Sequence, residues 1–190
     1  MMNKQAILFD RDGVLNQRRT NDYVKSIKEF IWCHGALDSL QRLYQVGYPL
    51  FIITNQAGIG KGIFTFDQLN QIHRRLYYDV LNVGAKVEQI YVCPHTPEDC
   101  CNCRKPQPGL LLQAAKDYKL DLLNSIFIGD SESDITAGNV AGCITILLDS
   151  CIADNEYQPH LSTTIKQSDY HFPNLFTATD YILSILERKN

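Results

Sequence analysis

Two groups of carboxylates dominate the chemistry this chain could do. Asp10-Arg11-Asp12-Gly13 follows the apolar run QAILF directly, and Gly129-Asp130 with Asp134 follows SIFIG. Carboxylates two residues apart, in a turn freed by Gly13, can converge on one point. Such crowding is costly unless a cation lies among them. Mg2+ is the natural occupant, a hard ion satisfied by a few carboxylates, water and substrate phosphate oxygens. A second group carries softer donors: Cys93-Pro94-His95 and Cys101-Asn102-Cys103 form a C-x-H…C-x-C set. Two ligand pairs separated by a short loop suit a closed tetrahedral Zn2+ site with a structural role. Thiolates and imidazole serve zinc well and Mg2+ poorly, so the two groups imply two different metal sites. Free thiols or a disulfide pair are the alternative for this cluster, and catalytic zinc is a weaker third reading. Cys100 is surplus; the C-x-C spacing favours Cys101 with Cys103.

These groups need a scaffold that brings them together. QAILF (5–9), YPLFIIT (48–54), VEQIYVC (87–93), SIFIGD (125–130) and CITILLD (143–149) are short apolar runs rich in β-branched and aromatic residues, and read as buried strands. Between them lie helical patterns. Leu37, Leu40, Leu43 and Tyr44 recur before a Gly47 stop, and Phe66, Leu69, Ile72, Leu76 and Val80 follow a plausible N-cap at Thr65. Further helices are predicted over 109–118, 133–141 and 177–188, with loop between the last strand and Asp169. Strand–helix alternation predicts an α/β fold, a Rossmann-like and mostly parallel sheet with helices on both faces. The working side of such a sheet is the carboxyl end of its strands. Asp10, Thr54-Asn55, the Cys93 loop and Asp130 all fall there. Each alone would pass for a turn residue or helix cap; four together would not.

The bulk properties fit this picture. At 190 residues, 45% hydrophobic and 21% charged, the chain is expected to form a single domain spanning 1–190. A formal charge of -3 leaves no basic excess, which argues against a nucleic-acid partner. No apolar run reaches the roughly 18 residues of a membrane span, and MMNKQAILFDRDG lacks the plan of a signal peptide. A cytoplasmic protein with reduced cysteines is therefore expected, without membrane association. Scattered apolar residues reveal no interface, and a monomer or weak oligomer is expected. GIGKG (58–62) fails the G-x-x-x-x-G-K-S/T spacing and receives no nucleotide role.

AILFDRD, FIITN, Arg104-Lys105-Pro106 and IGDSESD occur in that order, and the set resembles the motifs of the haloacid dehalogenase-type phosphatases. The resemblance spans most of the chain. It implies that Asp10 is the nucleophile, forming an aspartyl-phosphate, and that Asp12 is the general acid and base. It further implies Mg2+ held by Asp10, the main chain of Asp12, and Asp130, with Asp134 in support. Thr54 and Lys105 would hold the transferring phosphoryl oxygens. The zinc loop running into CRKPQPG, with no large insertion after Asp12 or Gln56, resembles the histidinol-phosphate and heptose-bisphosphate branch, small enzymes with a minimal cap. DRDGVLN, TNQAGIGKGIFT and Asp22-Tyr23-Val24 resemble the heptose side. The short loop from His95 to Cys101 matches the histidinol side equally well. The implied substrate is a small phosphorylated sugar or related metabolite. Arg104 would grip a remote phosphate, and Arg11, Tyr23, Asn55 and Gln56, with Lys105, would contact the substrate. Two other readings stay open: a non-catalytic zinc-stabilised binding domain, and a nucleic-acid 3′-phosphatase.

Overall fold

The computed structural model describes residues 4–153 and 162–187. Its centre is a six-stranded sheet of β1 (Ile7–Phe9), β2 (Leu50–Asn55), β3 (Val87–Cys93), β4 (Ile126–Gly129), β5 (Ile144–Leu148) and β6 (Tyr170–Phe172). The order is β3-β2-β1-β4-β5-β6, and every neighbouring pair is parallel. The helices are α1 (Ala36–Gln45), α2 (Ala57–Gly60), α3 (Phe66–Asn82), α4 (Gly109–Tyr118), α5 (Glu132–Ala141), α6 (Ser162–Gln167) and α7 (Leu175–Glu187).

Period-two alternation along the strands builds a core on each face. Ile7, Phe9, Leu50, Ile52, Ile126 and Ile128 point one way, where they join Leu40 and Leu43 of α1, Ile72 and Leu76 of α3 and Ala178 and Ile182 of α7. Leu8, Phe51, Ile53 and Phe127 point the other way, onto Leu110, Leu111 and Ala114 of α4 and Ala137 of α5. Each large side chain buried this way contributes about 1.5–3 kcal/mol. Thr65 caps α3 as expected: its hydroxyl accepts from the Gln68 N–H while the Gln68 side chain accepts from the Thr65 N–H, a reciprocal box.

The sheet and both helical layers match the sequence expectation, with three additions. β6 adds a sixth strand beside β5, missed because a three-residue segment is too short to display alternation. α6 lies within the polar stretch 150–168 that was read as loop; residues 154–161 of that stretch fall outside the described residues. The four-residue α2 is too short for a periodic signal. Residues 13–35 form no helix or strand and occupy the place of a minimal cap. Single bridges tie them down, from Asn16 to Asp12 and Trp32 and from Arg18 to Ile152.

Candidate active site

The carboxyl ends of β1, β2, β3 and β4 meet around one cleft of about 260 Å3, lined by Asp10, Asp12, Arg18, Arg19, Tyr23, Asn55, Arg104, Lys105, Asp130 and Asp134 among others. Asp10 leaves β1 with its N–H donating to the Ile128 carbonyl of β4 at 2.8 Å. That bond fixes it between the two central strands. Gly13 turns the chain back at a φ of 95°, and a Cβ there would lie 2.1 Å from the Asp130 carboxylate. Only glycine permits that approach.

Carboxylate oxygens of Asp10, Asp130 and Asp134 all lie within 4.8 Å of one another. Burial, reinforced by Asp134 and Asp130, pushes Asp10 up to about 8 against the pull of Lys105. Burial and the Asp134 charge push Asp130 up to about 6. Three buried carboxyls this close together form a hard, oxygen-only donor set, and a Mg2+ ion fits it. Asp130 also accepts from the Ser150 hydroxyl and lies 3.5 Å from Arg18 Nη1. Asp134 is the innermost of the three, in a reciprocal cap with Ser131 at the start of α5.

Lys105 is 3% exposed, and its ammonium sits 2.7 Å from Asp10 Oδ1 and 2.5 Å from Asp134 Oδ1. Burial disfavours its charge, but the two carboxylates outweigh burial and hold the proton on firmly. Asn55 fixes the lysine's main chain: its amide nitrogen donates to the Lys105 carbonyl and its amide oxygen accepts the Lys105 N–H, both at 3.1 Å. Asn55 lines the cleft, yet its amide serves Lys105.

Asp12 lines the same cleft but stands outside the acid cluster. Arg11 Nη2 donates to both its oxygens at 2.9 and 2.8 Å, Asn16 Nδ2 to one at 2.9 Å and Gln56 Nε2 to the other at 2.8 Å. Burial raises its proton affinity, but the Arg11 guanidinium and these bonds prevail and hold Asp12 below the usual carboxylate range. Two of the expected substrate contacts are buried. Arg11 is 0% exposed and Gln56 1% exposed, and neither is among the residues lining the cleft. Each instead holds Asp12. Thr54 is also buried, with its hydroxyl accepting from Gln56 Nε2 at 2.8 Å. Tyr23 does line the cleft, packed at 5.9 Å from the Phe64 ring with Lys61 over its face.

The softer cluster assembles as the spacing implied. Sulfur and nitrogen atoms of Cys93, His95, Cys101 and Cys103 lie 3.2–3.6 Å from their neighbours in the set. These edges suit a tetrahedral site whose donors are three thiols and one imidazole, and Zn2+ fits that chemistry. Burial raises the Cys101 thiol, but bonds from Cys103 and from main-chain N–H groups win and bring it to about 7. Cys100 is exposed and turned toward the Pro97 carbonyl, outside the cluster. The loop ends at Arg104, whose Nη1 donates to the His95 carbonyl at 3.3 Å beside the cleft.

The sequence reading missed Ser150, Asn16 and His73. His73 carried a signal: it lies among the apolar positions of α3, buried between Leu69, Ile72 and Leu76. A lone polar residue in such a stripe needs a buried partner, and here that partner is Arg11.

A carboxylate at the end of the first strand, a lysine paired to it and an acid pair one strand across define a haloacid dehalogenase-like hydrolase. The family model HAD-hydrolase-like matches residues 102–177. Two curated relatives, from Pseudomonas aeruginosa and Bordetella bronchiseptica, are named D-glycero-beta-D-manno-heptose-1,7-bisphosphate 7-phosphatase. The first is 37% identical over 77% of this chain and 82% of its own length. The second is 40% identical over 73% and 77%. A solved D,D-heptose 1,7-bisphosphate phosphatase from B. bronchiseptica, complexed with magnesium and phosphate, superposes with a TM-score of 0.83 at 32% identity, covering 95% of this chain and 98% of that one. The chain belongs to the family of D-glycero-beta-D-manno-heptose-1,7-bisphosphate 7-phosphatases.

Proposed function

We propose that this chain hydrolyses the 7-phosphate of D-glycero-D-manno-heptose 1,7-bisphosphate, acting as a phosphoric monoester hydrolase through an aspartyl-phosphate on Asp10. The observation that carries the reading is a nucleophile, its lysine partner and an acid cluster at one cleft, in a chain whose relatives bear that name over most of their length. The same names favour a heptose bisphosphate over histidinol phosphate.

An Asp10 oxygen attacks phosphorus, and the bond to the C7 oxygen breaks. Asp12 gives that oxygen a proton; the incoming phosphate's negative charge raises its proton affinity for the task. Water then attacks the aspartyl-phosphate and returns a proton to Asp12, freeing Asp10 and inorganic phosphate. Lys105 neutralises the charge that builds on the transferring oxygens, and Thr54 lies beside the same strand end. Mg2+ would be held by Asp10, Asp130 and the main chain of Asp12, with Asp134 behind them, and supplies charge neutralisation between two anions. Zn2+ would be held by Cys93, His95, Cys101 and Cys103 and would keep Arg104 and Lys105 in place. Arg104 grips the remote phosphate, and Tyr23 borders the sugar.

Phosphate release from heptose 1,7-bisphosphate and from histidinol phosphate, measured with Mg2+ and with Asp10→Asn as control, tests this. Preference for the bisphosphate, abolished in the variant, supports it. Preference for histidinol phosphate would keep the chemistry and reject the substrate.

A further inference from the structure

We propose that His73 is a positioning residue for the acid–base carboxyl of Asp12, acting through Arg11. Arg11 is fully buried, and its charge is permanent. Its Nη2 holds both Asp12 oxygens, its Nη1 lies 3.2 Å from His73 Nε2, and its Nε has no partner. A guanidinium can only donate, so Nε2 of His73 is the acceptor and the imidazole proton sits on Nδ1. Burial and the neighbouring Arg11 charge, which outweigh Asp12, hold His73 down to about 3, in keeping with a neutral ring.

Removal of His73 would leave Arg11 oriented by little besides the carboxylate it is meant to orient. With His73 present, the guanidinium is referred to α3, a 17-residue helix whose Leu69, Ile72, Leu76 and Val80 are locked in the core. The chain His73–Arg11–Asp12 then holds both Asp12 oxygens through one guanidinium nitrogen, while Asn16 donates to Oδ1 and Gln56 to Oδ2. Three donor side chains making four bonds leave the carboxyl one orientation at the cleft wall. Misplacement of a reacting group by about 1 Å can lower a rate by about 100-fold.

The inference rests on the reading of Asp12 as proton donor, and its test uses leaving groups. An alkoxide such as the C7 oxygen needs that proton, whereas p-nitrophenolate departs without it. kcat/KM reports only the steps through leaving-group departure. His73→Leu should lower kcat/KM for heptose 1,7-bisphosphate by about 10- to 100-fold and for p-nitrophenyl phosphate by about 2-fold or less. His73→Gln, whose amide oxygen can accept from Arg11, should recover most of the loss. Should the leucine variant fail to fold, His73→Met carries the same comparison with a more adaptable side chain. An equal loss on both substrates, no loss on either, or a glutamine variant no better than leucine would overturn the role. A wild-type protein inactive on both substrates would instead overturn the phosphatase reading, and this one with it.

Discussion

His73 also makes a stability prediction that needs no substrate. Its imidazole titrates near 6.5 in an unfolded chain and is held down to about 3 in the fold. Below pH 6.5 the unfolded chain therefore takes up a proton that the folded one refuses. The stability His73 provides is fully present above 6.5 and is lost as pH falls toward 3. At pH 5 the loss is RT ln(1 + 10^1.5), about 2 kcal/mol, and at pH 7.5 it is negligible. Asp10 and Asp130, raised to about 8 and about 6, act with opposite sign, since their raised affinities favour the folded state as pH falls. The raw pH profile of the protein thus mixes both trends, and a comparison is needed to separate them. His73→Gln removes the imidazole and leaves the acids in place. Urea unfolding of the metal-free wild type and variant, at pH 7.5 and pH 5, should show the wild type's advantage shrinking by about 2 kcal/mol on acidification. An advantage that is the same at both values would refute the claim that a neutral, buried imidazole faces Arg11.

Three further outcomes follow from the site. Asp10→Asn should abolish turnover yet raise the melting temperature of the metal-free protein, because an amide removes the cost of burying a carboxyl that is ionised in the unfolded chain; about 1 kcal/mol would appear as roughly 2–4 °C in a thermal melt. Cys103→Ser should remove about one equivalent of zinc by atomic absorption and lower kcat, as Lys105 follows two residues later, while Cys100→Ser should change neither. Gly13→Ala should lower the urea-derived stability by about 1–3 kcal/mol and raise the Mg2+ concentration for half-maximal rate, because the new Cβ collides with Asp130 at a φ of 95°.

Much of this was legible in the chain because the signals are local. A buried parallel strand announces itself by a short β-branched run, and AILF, FIIT and IFIG each stop at a polar residue that lands in the site. The cysteine–histidine cluster was equally readable, since its four donors lie within eleven residues, from the end of β3 through the following loop, and their spacing alone limits the geometry. What the chain concealed were partnerships across long separations. Arg11 and His73 lie 62 residues apart, and nothing in either neighbourhood names the other. Ser150 reaches Asp130 from a different strand end, and Asn55 reaches Lys105 across 50 residues. Arg11 and Gln56 were read as substrate contacts because a polar residue beside a nucleophile suggests the cleft, while burial is a property of the packed fold.

The alternation of the strands, continued past their ends, explains which residue does which. Along Asp10-Arg11-Asp12 the two acids line the cleft, and Arg11 between them is driven into the face where α3 packs, which is why a helix side chain meets it. Along Thr54-Asn55-Gln56 the outer pair share a side, close enough for Gln56 to bond Thr54, while Asn55 turns the opposite way to the Lys105 main chain. Gln56 joins the two triplets by donating to Asp12. Two consecutive strand ends thus divide the labour by parity. One parity of β1's extension places two carboxyls at the cleft and the other supplies the buried charge that bonds Asp12. In the second triplet Asn55 holds the lysine that faces Asp10, and Gln56, bonded to Thr54, holds Asp12. A single insertion in either triplet would invert these roles at once, as a one-residue register slip exchanges the faces of a strand. The spacing within D-R-D and T-N-Q is therefore as constrained as the residue types themselves.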